Sequence, residues 1–171
     1  MTQPAQKPGQ SKQDYRTPAE FVEAVKRRLG IAQFEIDLAA DDTNYVAPWW
    51  IGEAHDSLSV DWYRLSWNGW AWLNPPFANI APWAAKCAEF PAEEWHPDQK
   101  QRIAFLVPAG VGANWFRDYV DGKALVLLLN GRLSFDGIAP YPKDCMLCLY
   151  GVEPGYEVWD WRPAARQRRG K

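Results

Sequence analysis

Asn74-Pro75-Pro76-Phe77 closes a short apolar run, Trp70-Ala71-Trp72-Leu73, and its residue types suit the handling of a planar amine. Two consecutive prolines fix φ and remove two N–H donors, so the turn is stiff and presents acceptors. The Asn74 side-chain oxygen and the Pro75 carbonyl can both accept hydrogen bonds from one exocyclic NH2 group. Phe77 adds a face on which the ring carrying that amine can stack. Methylation of an amine is the chemistry this arrangement serves. Taken alone, the same four residues are equally a rigid strand-to-helix turn.

A second polar residue occupies a comparable place. Asp37 falls at the end of a predicted strand, Phe34–Leu38, as Asn74 follows another, Gly69–Leu73. Ligands of open α/β sheets bind outside the carboxyl ends of the strands, so the two positions support each other. In isolation Asp37 is as readily a turn former.

The elements that must hold these residues follow from pattern. Thr17-Pro18-Ala19-Glu20 has capping-box spacing with Pro at the first helical position. Phe21, Val22, Val25 and Leu29 then share one helical face, and Gly30 ends the helix. Tyr45–Ile51 is a strand candidate weakened by Pro48. Further helices are predicted over Ile80–Phe90 and Val111–Val120, the latter holding Trp115 and Phe116, with the polar stretch Pro91–Gln101 and the strand Arg102–Val107 between them. Lys123–Leu129 is the most continuously apolar strand, as expected for the middle of a parallel sheet. Arg132–Phe135 and Asp144–Tyr150 read as later strands forming an antiparallel hairpin. The fold class predicted is α/β: a single-domain, doubly wound, mostly parallel sheet with a C-terminal antiparallel hairpin.

The chain has 171 residues, 47% hydrophobic and 23% charged, as for one globular domain. We place that domain at 14–161, after a Pro/Gly/Gln-rich disordered tail at 1–13 and before a basic tail at 162–171 with five cations and no acid. The tail is either a solvated segment or a phosphate-contacting arm. A formal charge of −2 argues against a surface coated in phosphate contacts. Of eleven Trp, Trp62, Trp67, Trp70 and Trp72 read as core or interface. Cys145 and Cys148 have CxxC spacing, but strand alternation sends the thiols to opposite faces and no second Cys/His pair completes a metal site. His55 and His96 are isolated, and no metal is expected. Without a signal peptide or membrane-length apolar run, the expected location is the cytoplasm.

From Tyr15 to Tyr150 the chain resembles the small phage-type Dam DNA N6-adenine methyltransferases. The resemblance is carried by an ordered set: Tyr15-Arg16-Thr17-Pro18, Phe34-Glu35-Ile36-Asp37-Leu38-Ala39-Ala40, Asp56-Ser57-Leu58 with Trp62, and Trp72-Leu73-Asn74-Pro75-Pro76-Phe77. Leu106-Val107-Pro108, Trp115-Phe116 and Gly131-Arg132-Leu133-Ser134-Phe135 complete it. It implies a Rossmann-like fold, S-adenosyl-L-methionine as methyl donor and adenine in DNA as acceptor. By the same analogy Thr17 and Pro18 approach the amino-acid end of the cofactor. Asp37, Leu38 and Ala39 lie against its methionine and ribose, while Asp56, Ser57 and Leu58 flank its adenine. Asn74, Pro75, Pro76 and Phe77 hold the target amine, Asn74 also facing the cofactor.

Three departures stand out. Leu38-Ala39-Ala40 occupies the place of the family's glycine-rich cofactor loop. The turn ends in Phe77 rather than Tyr, which keeps the stacking face and loses only a hydroxyl. No interval is long enough for a dedicated target-recognition domain, so base specificity falls to loops such as Ala109–Asn114 and Arg132–Pro142, with Asn114, Arg132 and Lys143 as candidate DNA contacts. Two other functions fit the same turn: N5-methylation of a protein glutamine, whose amide poses the same chemical problem, and a catalytically dead binding module.

Overall fold

A computed structural model describes residues 16–90, 101–135, 137 and 139–162. The predicted tails at 1–13 and beyond Arg162, the stretch 91–100, and His96 lie outside the described residues. The elements are α1 (Ala19–Leu29), β1 (Ile36–Asp37), β2 (Trp49–Trp50), β3 (Trp70–Leu73), α2 (Ala81–Cys87), β4 (Arg102–Pro108), α3 (Asn114–Tyr119), β5 (Leu125–Asn130), β6 (Cys145–Tyr150) and β7 (Gly155–Asp160). Short 3-10 turns at Glu53–His55, Ser57–Ser59 and Trp62–Arg64 lie between β2 and β3.

One seven-stranded sheet runs β2-β1-β3-β4-β6-β5-β7. β2, β1, β3 and β4 pair in parallel, as do β5 and β7. β6 alone runs the other way, wedged antiparallel between β4 and β5. Side chains alternate across the sheet. Ala71, Leu73, Ile103, Phe105 and Val107 pack on the face covered by α2 and α3. Trp70, Trp72, Ala104 and Leu106 pack on the face covered by Phe21, Val22 and Val25 of α1. Helices therefore cover both faces of a mixed α/β sheet, and β6 is buried along its whole length. Cys148 belongs to the first face and Cys145 to the second, both as free buried thiols. Trp62, Trp67, Trp70 and Trp72 are all buried.

Several sequence expectations are corrected. Capping at α1 is not done by Thr17: Pro18 holds the N-cap place and its carbonyl receives the Phe21 and Val22 amides at 2.9 and 3.1 Å. The helix does end at Gly30, whose φ of 67° suits glycine. β1 and β2 keep two residues each of the longer strands expected, because the chain between them folds into a loop closed by Asp41 and Asn44. β5 is not central; it lies between β6 and β7, since apolarity reports burial and not strand order. Arg132–Phe135 is loop rather than strand: Gly131 turns the chain at φ 109°, and Leu133 and Phe135 plug the α1 face of the core. β6 finds its antiparallel partners in β4 and β5 instead. β7 was not foreseen from sequence.

Candidate active site

β1, β3, β4 and β5 all finish at one edge of the sheet, and β6 begins there. That edge collects the turn after β3. Asn74 is half-buried, Pro75 buried, Pro76 exposed and Phe77 half-buried. Asn74 Nδ2 donates a hydrogen bond to Thr17 Oγ1 at 3.0 Å. The hydroxyl expected to cap α1 thus orients the amide of Asn74 instead. With Nδ2 turned to Thr17, Oδ1 becomes the acceptor end of the amide.

Asp37 works on the neighbouring loop. It is 3% exposed, and its Oδ1 and Oδ2 accept the Ala39 and Val46 amides at 3.2 and 3.1 Å. Burial raises its pKa to about 7 against the pull of those two N–H groups, and nearby Asp41 adds to the rise. Within the same loop, Asp41 Oδ1 accepts from the Thr43 amide and hydroxyl, both at 2.7 Å. Arg16 then donates to the Thr43 carbonyl at 2.8 Å, which ties the loop to the segment carrying Thr17. Asp37 and Asp41 thus each hold part of the loop, and Arg16 and Thr17, adjacent in the chain, reach from it to Asn74.

The other residues expected at the cofactor fall into two groups. Leu38 is wholly buried and its amide donates to the Trp72 carbonyl at 2.9 Å, so its side chain serves the core. Ser57 is buried with its hydroxyl receiving the Trp62 indole N–H at 3.1 Å. Ala39 and Leu58 are half-buried, Thr17 and Pro18 also, and Asp56 is exposed. Asp56 has φ 39°, a left-handed conformation unusual for a side-chain-bearing residue, and Ser59 Oγ donates to its Oδ2 at 2.6 Å. Lys86 of α2 donates to the Leu58 carbonyl at 2.8 Å, fixing the 57–59 turn to the helix that follows the Asn74 turn.

Beside the turn lies a cavity of about 370 Å³ lined by Phe77, Ile80, Pro108, Ala109, Gly110, Trp115, Tyr141, Lys143 and Asp144. Phe77 forms an edge-to-face triangle with Phe135 and Tyr141, each ring 5.8 Å away, and those two stand 5.4 Å apart. Of the predicted DNA contacts, Lys143 lines the cavity. Arg132 pairs with the rim residue Asp144 at 3.2 Å. Asn114 is exposed at the first residue of α3, next to the lining residue Trp115. Sequence reasoning named the loops 109–114 and 132–142, which hold Gly110 and Tyr141, without singling out either residue, and gave Trp115 no place at a site. The only local signals were the flanking Pro140 and Pro142, which stiffen the chain around Tyr141, and the Gly110-Val111-Gly112 turn.

Among the described residues no three His, Cys, Asp or Glu side chains gather as a metal site, and no helix is long and apolar enough to cross a membrane. The model of a family described as DNA N-6-adenine-methyltransferase (Dam) matches residues 5–144. No curated protein matches the chain.

Proposed function

We propose, for a chain that belongs to the Dam family of DNA N-6-adenine-methyltransferases, that the Asn74–Phe77 turn holds the N6 amine of an adenine in DNA while a methyl group passes to it from S-adenosyl-L-methionine. The observation that carries this reading is the Thr17–Asn74 hydrogen bond at 3.0 Å. It sets the Asn74 oxygen as an acceptor at the end of β3, three residues before a ring that lines the cavity.

The residues read from sequence as cofactor contacts fit such a methyl donor by their chemistry. Thr17, Asp37, Asp56 and Asn74 bring hydroxyl, carboxylate and amide groups, and none of them is a cation, which suits a sulfonium and ribose hydroxyls. Thr17, Pro18 and Ala39, with Asp56 and Leu58 across the edge, would hold it, Asp37 acting through the loop it clamps. When bound, S-adenosyl-L-methionine supplies an electrophilic methyl on sulfur in a Rossmann-like frame.

The rest is the work of the chain. An adenine amine is a poor nucleophile because its lone pair is delocalised into the ring. Asn74 Oδ1 and the Pro75 carbonyl, accepting one N–H each, favour a pyramidal nitrogen and aim its lone pair away from the ring plane. They also complement the positive charge that grows on nitrogen during transfer. No strong base is required, since the methylated cation loses its proton to water readily. The base must leave the duplex to reach Asn74, and Phe77 offsets part of the unstacking cost. Arg132 and Lys143 stand where the flanking backbone passes.

Incubation of the protein with S-adenosyl-L-methionine and unmethylated DNA, followed by digestion to nucleosides and mass spectrometry, tests this reading. N6-methyldeoxyadenosine is expected with the wild-type chain and not with Asn74→Ala. Methyl recovered on another base, or none, overturns it.

A further inference from the structure

Gly110 has no positive φ, so its backbone conformation does not call for glycine. A neighbour does. A Cβ at this position would stand 2.9 Å from Trp115 Cζ2 and 3.6 Å from Cε2, which means the indole lies directly against the Gly110 backbone. The turn beneath it is closed by two backbone hydrogen bonds, Gly110 N–H to the Pro108 carbonyl at 2.8 Å and Ala113 N–H to the Gly110 carbonyl at 2.9 Å. From the other side the buried Phe116 meets the indole edge-on at 6.2 Å. Trp115 is thereby held in place, half-buried, and it lines the same cavity as Phe77. Phe77 lies in the turn after β3 and Trp115 in the first turn of α3, which follows β4, and these two strands are parallel neighbours whose register pairs Leu73 with Phe105.

We propose that Trp115 is a second aromatic wall of the target-base pocket, and that the cavity it shares with Phe77 takes a purine ring stacked on the indole. This rests on the reading of the Asn74 turn as the amine holder. The pocket bottom supplied by Ile80, Pro108 and Ala109 is apolar, as a ring face requires, and the polar groups Lys143 and Asp144 are exposed. Gly110 sets the width: any side chain there drives the indole from its seat. The substrate class follows as a flipped purine nucleotide, with Asn74 reading the amine and Trp115 reading the ring.

Two measurements separate this from a merely structural role for Trp115 and from failure of the methyl-transfer reading. The first is steady-state methylation of unmethylated DNA by Trp115→Phe, Trp115→Leu and Gly110→Ala. Loss of one base–aromatic stack raises the DNA KM of Trp115→Leu by about 5- to 150-fold, while Trp115→Phe, which loses comparable bulk, keeps most of the wild-type value. Gly110→Ala shifts in the same direction as Trp115→Leu. The second is the fluorescence of a single-stranded oligonucleotide carrying 2-aminopurine, a purine without the 6-amine. Wild-type protein is expected to quench it more strongly than Trp115→Leu, in which only Phe77 is left to stack on the base. Equal KM values for the Phe and Leu variants, or quenching as strong in Trp115→Leu as in the wild type, overturns the proposal. Quenching by a wild-type protein that methylates nothing overturns the methyl-transfer reading and leaves the stacking wall standing.

Discussion

Thr17 Oγ1 and Asn74 Nδ2 meet at 3.0 Å across 57 residues of chain, joining the segment before α1 to the turn after β3. The contact fixes the orientation of the amide, with Nδ2 toward Thr17 and Oδ1 as its acceptor end. Thr17→Val keeps the shape and removes the acceptor, so Nδ2 loses the partner that orients the amide. A neutral hydrogen bond of about 1 kcal/mol converts to a loss of roughly 5-fold in kcat. Thr17→Ser, which retains the hydroxyl, is expected to stay near wild type. Equal kcat for the Val and Ser variants would show that the orientation comes from elsewhere.

Asn74→Ala removes one of two acceptors for the amine and leaves the sheet intact, because the half-buried side chain belongs to neither core cluster. Methyl transfer is expected to fall by roughly 100-fold or more, the scale seen for loss of one pre-placed polar group in a transition state. Calorimetric titration with S-adenosyl-L-methionine should show a much smaller loss of affinity than of turnover. A variant that turns over normally sinks the mechanism, and one that cannot bind the methyl donor moves Asn74 to a binding role.

Local order was legible in the sequence; which distant pieces meet was not. α1 showed itself through the spacing of Phe21, Val22 and Val25 and the stop at Gly30, and β4 through an apolar run that is buried from Ile103 onward. β7 escaped because Gly155, Glu157 and Asp160 break its apolar run, and as an edge strand it leaves the apolar Tyr156 and Val158 exposed instead of alternating polar residues outward. The position of β5 escaped because inserting β6 between it and β4 is a long-range choice that no local pattern records. At the site, the Asn74 turn was readable from its own four residues. Thr17 as its orienting partner, and Trp115 and Tyr141 as cavity walls, needed the strand order to bring three separate turns to one edge.

Asp37 makes stability depend on pH. Its pKa is about 7 when folded against 3.8 ordinarily, so between those values the folded chain binds more proton than the unfolded one. Stability contributed by the protonated carboxyl is complete below about pH 4 and is lost as pH rises through about 7. Thermal melts of the wild type should therefore decline from pH 4 to 7 by more than those of Asp37→Asn, which cannot ionise. The variant also turns an NH2 group toward one of the two amides, at Ala39 or Val46, and its melting temperature at pH 5 should lie below wild type. A pH slope unchanged by the substitution removes Asp37 as its source.

Leu133 is fully buried on the α1 face although it sits in a loop. Leu133→Ala leaves a cavity there and should destabilise the protein by about 2–5 kcal/mol, read as a lower urea midpoint with an unchanged slope. Since the same loop carries Arg132 and Phe135, the variant is also expected to weaken DNA binding at temperatures well below its melt. A loss of stability under 1 kcal/mol would mean the loop repacks.

Lys143 and Arg132 differ in what they are doing before DNA arrives. Arg132 is engaged with Asp144 at 3.2 Å, whereas Lys143 lines the cavity as an exposed ammonium. A phosphate contact by either contributes about 0.9 to the slope of log K against log salt on duplex DNA. Lys143→Ala should lower that slope by roughly one phosphate's worth. Arg132→Ala should lower it by less, because the freed Asp144 carboxylate replaces an existing ion pair rather than a bare cation. Asp144→Asn supplies the converse: it releases Arg132 and should steepen the salt dependence. Identical slopes for all three variants and the wild type, measured by fluorescence anisotropy with labelled duplex, would place the phosphates on another face.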